Sequence, residues 1–109
     1  MDNRRESTDL VYMKIHSNEQ GTVVAICDAE LLGRTFSEGD VRLHVDPNFY
    51  AGELVPLSYA IERAREAEIL NLVGERVVSA AIEAGYVHPA SVIKVEGVPH
   101  AQSIRIPFE

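Results

Sequence analysis

The sequence has one cysteine, two lysines and no long apolar run, and each shortage excludes a class of protein. Cys27 cannot form a disulfide within the chain, so we expect a reducing compartment, which points to the cytoplasm. Because no run of about 18 apolar residues is present, we expect no membrane-spanning helix. The first ten residues are charged and contain no apolar segment, so we expect no secretory signal there.

Residue spacings that are typical of metal and nucleotide sites are also missing. The four histidines do not pair at helical spacing, and no second cysteine is present to complete a metal-binding pair. No glycine-rich phosphate-binding motif occurs either. We therefore expect neither a metal nor a cofactor in this protein.

Positive charge is scarce. The 109 residues include 17 acidic and 10 basic side chains, and the formal net charge is −7. A protein that binds nucleic acid mainly through its phosphates is normally basic. The charge therefore speaks against general nucleic-acid binding, and it leaves a local contact or a basic protein partner open.

Apolar patterning predicts one domain over residues 11–109, after an N-terminal segment (residues 1–10) that we expect to be flexible. Alternating apolar residues at 11–16 and an apolar run at 22–27, separated by turn residues, predict a β-hairpin. We predict loops at residues 35–40 and 97–101. Further strands are predicted at residues 41–45, 49–55, 91–96 and 103–108, the second of them irregular.

Residues 58–85 are the only long stretch with a helical pattern. Ser58 is a suitable N-terminal cap, and Gly85 followed by Tyr86 is suitable for the C-terminal end. Gly74 interrupts the apolar middle, so the helix either continues with a bend or splits there. The predicted fold class is α+β, with a small, mostly antiparallel sheet packed against one long helix, continuous or broken, or against a helix pair.

Cys27, Asp28 and His100 are the residue types of a nucleophilic site, in which a histidine activates a thiol. The alternative is that Cys27 is a core residue at the end of an apolar strand, which is the commoner role of a lone cysteine. Because no catalytic motif surrounds Cys27, we favour a protein that is not an enzyme. A small enzyme that uses His100 with Cys27 or Glu75 is kept as an alternative.

A group of polar residues interrupts the apolar middle of the predicted helix. Asn71 lies among apolar residues, so its amide must either bond a nearby loop backbone or line a cleft. Asn71 and Glu75 share a face if the helix is continuous. We expect this region to face the Gly97–Gln102 loop. The candidate binding surface consists of Asn71, Glu75, Arg76, Pro99, His100 and Gln102.

Four short strings stand out together, D-A-E-L-L-G, E-G-D, N-L-V-G-E and G-V-P-H-A-Q. The first two strings lie in a segment made of residues 24–45 and 49–55. The last two lie in a segment made of residues 67–87 and 91–106. In these segments the chain resembles the archaeal domain-of-unknown-function family DUF424, and the resemblance extends from Val11 onward. The shared surface that it implies includes Asp28, Gly33, Glu38, Gly39, Asn71, Gly74, Glu75, Gly97, Pro99, His100 and Gln102.

This resemblance implies an archaeal cytoplasmic protein that is associated with translation or ribosome assembly, and it suggests RNA binding. It supplies no catalytic residues. We therefore expect a non-catalytic binding module whose partner is RNA, a ribosomal protein or an initiation factor. A homodimer that uses an exposed apolar helix face as its assembly surface is a further alternative.

Overall fold

The computed structural model describes residues 9–19 and 21–104, and their secondary structure is as follows. The strands are β1 (Leu10–Asn18), β2 (Gly21–Asp28), β3 (Thr35–Glu38), β4 (Val41–His44), β5 (Glu53–Pro56), β6 (Ile69–Val73), β7 (Ile93–Val95) and β8 (Val98–Ile104). The α-helices are α1 (Pro47–Tyr50), α2 (Leu57–Ala64) and α3 (Glu75–Glu83), and short 3-10 turns cover Ala29–Leu31 and Pro89–Ser91.

Six of the strands form one sheet in the order β5-β1-β2-β6-β8-β7, and β3 pairs with β4 in a separate hairpin. Within the large sheet β2 and β6 are parallel, and all other neighbours are antiparallel. The predicted α+β class with a mostly antiparallel sheet is therefore confirmed.

The first hairpin is confirmed, and both of its strands are longer than predicted. Pairing runs from Val11 opposite Asp28 to Asn18 opposite Gly21. Val11 and Met13 are buried because alternate residues of β1 point towards the helices. Period-two patterning was therefore sufficient to place this part of the sheet.

The single long helix predicted for residues 58–85 is wrong. The segment forms α2, then the strand β6, then α3. β6 lies between β2 and β8, so both of its edges are hydrogen-bonded. A strand that is buried on both faces is apolar throughout, and periodicity alone does not distinguish it from a buried helix. Gly74 follows β6 with φ 123° and ψ 152°, a conformation that no helix contains.

The two helix ends differ in how well the sequence predicted them. α2 begins at Leu57 directly after Pro56, so Ser58 is not its cap. The other end is confirmed: α3 stops before Gly85, which has φ 84°, and Tyr86 N donates to Ala81 O at 2.9 Å. Gly85 adopts this left-handed conformation at no steric cost, which is why glycine is common at this position.

Three other boundaries were misplaced. Residues 35–38 form β3 rather than a loop, because they pair with β4. Residues 47–50 form α1, since Asp46 and Pro47 provide a cap and a first helical residue, and β5 follows. The loop predicted for residues 97–101 is wrong except at Gly97, because residues 98–104 form one strand. The strand predicted for 103–108 runs beyond the described residues.

The large sheet has a hydrophobic core on each face. One core joins the sheet to α2 and α3 and includes Leu70 and Leu72. The other lies under α1 and the β3–β4 hairpin, and it includes Cys27, Tyr50 and Val73. β6 contributes Leu70 and Leu72 to one core and Val73 to the other, which explains why its sequence is apolar apart from Asn71.

Leu10, which the sequence assigned to the N-terminal segment, is the first residue of β1, and residues 1–8 lie outside the described residues. The division into a flexible segment and one domain stays a prediction. In the described part of the chain, every helix is too short or too polar to cross a membrane.

Candidate functional site

Pairing of β6 with β8 brings together two segments that the sequence predicted to meet. Asn71 lies opposite Gln102 and Val73 lies opposite His100. Directly opposite residues of an antiparallel pair project to the same face. Asn71, His100 and Gln102 therefore share one face of the sheet, although through two paired strands rather than through a helix and a loop.

This face points away from α2 and α3, because the alternate residues of β6 belong to the core beneath those helices. The β3–β4 hairpin and α1 cover part of it. The uncovered part carries exposed isoleucines: Ile104 is 67% exposed and Ile93 is 50% exposed. We call this region the open sheet face and define it by Ile69, Asn71, Ile93, His100, Gln102 and Ile104.

The helix α1 forms one border of the open sheet face. Asp46 accepts a hydrogen bond from Asn48 N at 3.0 Å and so caps the helix. His16 donates from Nε2 to Phe49 O at 2.9 Å, and the two rings stack with their centroids 4.8 Å apart. Lys14 Nζ donates to Asn48 O at 2.9 Å. Side chains of β1 thus hold α1 on the sheet.

Tyr50 connects this border to Asn71. Its hydroxyl donates to Asn71 Oδ1 at 2.5 Å. Burial raises the pKa of Tyr50, so the hydroxyl stays protonated and remains a donor. The Asn71 amide nitrogen, by contrast, has no acceptor among the described residues. Asn71 is therefore oriented by Tyr50 and retains two N–H groups for another molecule.

The His100 ring is fixed in a similar way. Its Nδ1 lies 2.9 Å from Leu72 O. Because a carbonyl oxygen only accepts, Nδ1 carries the proton, and Nε2 of the neutral ring is an acceptor. The open sheet face thus combines an amide donor at Asn71, an acceptor at His100 and the exposed amide of Gln102.

A free strand edge adjoins this face. β7 pairs with β8 only through residues 93–95 opposite 98–100. Among residues 9–19 and 21–104, no strand lies on that side of residues 101–104. Unpaired main-chain groups of an edge strand bind other chains readily. Both main-chain and side-chain groups are thus available next to Ile104.

The other three candidate residues lie elsewhere. Pro99 is buried, and its carbonyl accepts from Gly74 N at 2.9 Å. Glu75 is exposed in the first turn of α3. Arg76 lies beside the carboxylates of Asp9, Asp28 and Glu30. The six residues thus fall into a sheet-face group and a group around the start of α3.

Asp28 has a role that the sequence did not predict. It directly precedes the 3-10 turn at Ala29–Leu31, yet its side chain makes no bond there. Its oxygens instead accept from Arg76 N at 2.9 Å and Val77 N at 3.1 Å, at the first turn of α3. Burial raises the pKa of Asp28, while these N–H groups and the Arg76 guanidinium act in the opposite direction.

Gly74 permits this cap. A Cβ on Gly74 would lie 2.4 Å from Asp28 Cγ, which is closer than real contacts allow. The strings D-A-E-L-L-G and N-L-V-G-E therefore meet in space, and their contact joins β2 to α3. This explains in structural terms why an aspartate and a glycine occur at these two positions.

Cys27 is fully buried in the core under α1 and the β3–β4 hairpin. Burial, and then the Asp28 carboxylate, raises the pKa of Cys27 from 9.0 to about 12. A thiol that is rarely ionised and inaccessible is a poor nucleophile. This geometry favours the core role of Cys27 over the nucleophilic one.

We predict that iodoacetamide alkylates Cys27 in the folded protein at least about a hundredfold more slowly than in urea-unfolded protein, because both the thiolate fraction and access are low. Mass spectrometry of timed samples at pH 8 measures the two rates. The chain has no other cysteine, so the signal belongs to one residue. Equal rates in the two states would contradict the buried assignment.

His100 gives the enzyme alternative no geometric support. Its hydrogen-bond partner among the described residues is a backbone carbonyl, and no Asp, Glu or Cys side chain bonds to it there. No cluster of three or more metal-binding side chains occurs in the described ranges. Among the described residues, His100 is therefore oriented by a main-chain carbonyl and not by an acidic side chain or a thiol.

Ile93 and Ile104 of the open sheet face, and Tyr50 at its border, were not singled out from the sequence. Only Pro99 to Gln102 alternate between apolar and polar residues, and the apolar Ile104 falls on the same face as the polar His100 and Gln102, so alternation gives no strand signal over the whole segment. The contact of Tyr50 with Asn71 has no sequence signal, because it depends on how α1 lies across the sheet.

This is a small α+β protein. Its mixed six-stranded sheet has two helices on one face and an open region on the other. The chain belongs to the family described as protein of unknown function (DUF424), whose model matches residues 15–106. The resemblance seen in the sequence is therefore confirmed.

A solved structure has the same fold: the crystal structure of an uncharacterized conserved protein from Methanopyrus kandleri. The two chains are 29% identical with a TM-score of 0.73, and the match covers 92% of this chain and 97% of the other. A search of curated proteins gives no match.

Proposed function

We propose that this protein is a non-catalytic binding module of the archaeal cytoplasm, and that its open sheet face binds a protein of translation or ribosome assembly. The observation that carries the proposal is the exposure of Ile104 and Ile93, at 67% and 50%, beside fixed polar groups of Asn71 and His100. Apolar side chains around a few oriented polar groups are typical of protein interfaces. The link to translation rests on the family association given above.

A protein partner fits this face better than RNA. Sheets that bind RNA stack bases on aromatic side chains and attract phosphates with Lys or Arg. The six residues that define the open sheet face include no Phe, Tyr, Trp, Lys or Arg, and the aromatic rings at its α1 border are already engaged, Phe49 with His16 and Tyr50 with Asn71. Arg76 is surrounded by carboxylates, and the chain has a net charge of −7. A basic, partly apolar protein surface is the complementary partner.

The free edge of β8 supports the same conclusion. An extended segment of a partner could pair with residues 101–104, and its alternate side chains would contact Ile104 and Gln102 on the open sheet face. Main-chain pairing would provide affinity, while the side chains of the face would provide specificity. RNA has no equivalent way to use a strand edge.

We predict that Ile93→Lys strongly weakens partner binding, because it places a charge in the apolar part of the face. The tagged chain is used to recover complexes from archaeal lysate, followed by sucrose-gradient sedimentation and mass spectrometry. The wild-type chain is expected to co-sediment with ribosomal particles or a translation factor. The lysine variant should reduce recovery about tenfold or more.

Leu54→Lys is the matched control. Leu54 is 49% exposed, close to the value for Ile93, and lies on β5 at the opposite edge of the sheet. It should leave recovery unchanged. Sedimentation entirely at the top of the gradient, with no translation protein recovered, would overturn the proposal. Loss of the complex after ribonuclease treatment would assign the face to RNA instead.

A further inference from the structure

A second surface lies on the other side of the sheet, between α2 and α3. It is a solvent-open groove of about 510 Å³. Leu57 and Ile61 of α2 line one side, and Ala80 and Ala84 at the end of α3 line the other. The two alanines are four residues apart and face the same way on the helix, so a partner can approach the α3 backbone closely. The open sheet face does not contribute to this groove.

Carboxylates surround the apolar floor. Asp9, Glu62 and Glu83 line the groove, and none of the described residues that line it is a lysine or arginine. Asp9 is 3.9 Å from Arg76, and Glu62 is 3.7 Å from the exposed Arg65. Such exposed pairs are weak, and water screens them. Glu83 forms no ion pair with any other described residue.

We propose that this groove binds a helical segment of a partner protein, with apolar side chains on one face of the segment and lysine or arginine at its borders. Amphipathic helices bind apolar grooves between helices through residues spaced three and four apart. Burial of the apolar face supplies affinity, and the three carboxylates select a cationic segment.

The charge distribution argues against two other occupants. A second copy of this chain would bring another net charge of −7 towards an acidic groove. An anionic partner, including RNA, meets the same repulsion. A cationic helix gains from all three carboxylates, so it is the occupant that the groove favours.

The test uses a fluorescent peptide of roughly four helical turns, with leucine on one face and lysine on the other. Fluorescence anisotropy with the full chain measures binding. A peptide with glutamate in place of lysine serves as the control for charge. The lysine peptide should bind at least about tenfold more tightly than the glutamate peptide.

Variants then locate the binding site. Ala84→Arg adds bulk and positive charge at an exposed helix end, and it should weaken binding about tenfold or more. Glu83→Lys should weaken it about two- to fivefold. The matched control is Glu66→Lys, which makes the same charge change at an exposed residue outside the groove and should leave binding unchanged. Circular dichroism confirms that each variant is folded.

Three results would overturn the proposal. One is equal affinity for the lysine and glutamate peptides. Another is equal weakening by Glu83→Lys and Glu66→Lys, which would show an effect of overall charge. The third is a dimer, detected by analytical ultracentrifugation, that Ala84→Arg dissociates, because it would assign the groove to a second copy. None of these results bears on the open sheet face, so the two proposals fail separately.

Discussion

Gly74→Ala is expected to lower the free energy of unfolding by about 3–5 kcal/mol. Gly74 has φ 123° and ψ 152°, a backbone conformation that is essentially restricted to glycine. The added methyl group would also lie 2.4 Å from Asp28 Cγ. Relief of that contact requires movement of β2 or α3, and either movement breaks the hydrogen bonds between Asp28 and the start of α3.

Urea denaturation followed by circular dichroism measures this loss. Gly85→Ala is the matched control, because Gly85 also has a positive φ, 84°, but no atom lies within 4 Å of the added Cβ. It should cost about 1–2 kcal/mol, which is the backbone term alone. Similar losses in the two variants would show that the contact with Asp28 is not what restricts position 74.

Asp28→Ala is expected to lower the free energy of unfolding by about 2–4 kcal/mol. The carboxylate accepts hydrogen bonds from Arg76 N and Val77 N, and its removal leaves both donors without partners. The two hydrogen bonds of the cap connect parts of the chain that are 48 and 49 positions apart in the sequence. Loss of the cap therefore weakens the attachment of α3 to the sheet as well as the helix itself.

Arg76→Gln separates the backbone cap from the ion pairs. The Arg76 side chain lies 3.7 Å from Asp28 and also contacts Glu30, whose side chain is 62% exposed. Its replacement retains the backbone N–H that Asp28 binds but removes the cation beside a buried carboxylate, so we expect a loss of about 1–2 kcal/mol, smaller than for Asp28→Ala. Chemical denaturation at neutral pH tests both variants. A larger loss in Arg76→Gln than in Asp28→Ala would show that the ion pairs, not the cap, hold α3 in place.

The predictions for Gly74 and Asp28 concern residues that stabilise the fold, and they help to separate these from functional residues in the strings that mark the family. Asp28, Gly74 and Pro99 are explained by packing and by hydrogen bonds within the fold. Asn71, His100 and Gln102 share the open sheet face; Gln102 is exposed, whereas Asn71 accepts a hydrogen bond from the buried Tyr50 hydroxyl. Variants of Gln102 should therefore reduce binding while leaving stability nearly unchanged, and variants of Asn71 should also lower stability because Tyr50 loses its partner.

The sequence by itself determined the class of this protein, its first hairpin and the end of α3. Each depends on neighbouring residues: alternation at residues 11–16 requires one buried face, and Gly85 provides the left-handed turn after a helix. The charge and the missing metal and nucleotide motifs are also properties of composition. Local chemistry was sufficient for all of these.

Only the tertiary structure decided the rest. Residues 69–73 are apolar apart from Asn71 because β2 and β8 flank them, Leu70 and Leu72 enter one core and Val73 enters the other, and that surrounding is invisible in the sequence. The pairing of β6 with β8 then set which candidate residues share a face, because a residue's side depends on its register. Asn71, His100 and Gln102 came together for this reason, while Glu75 and Arg76 were placed at the start of α3.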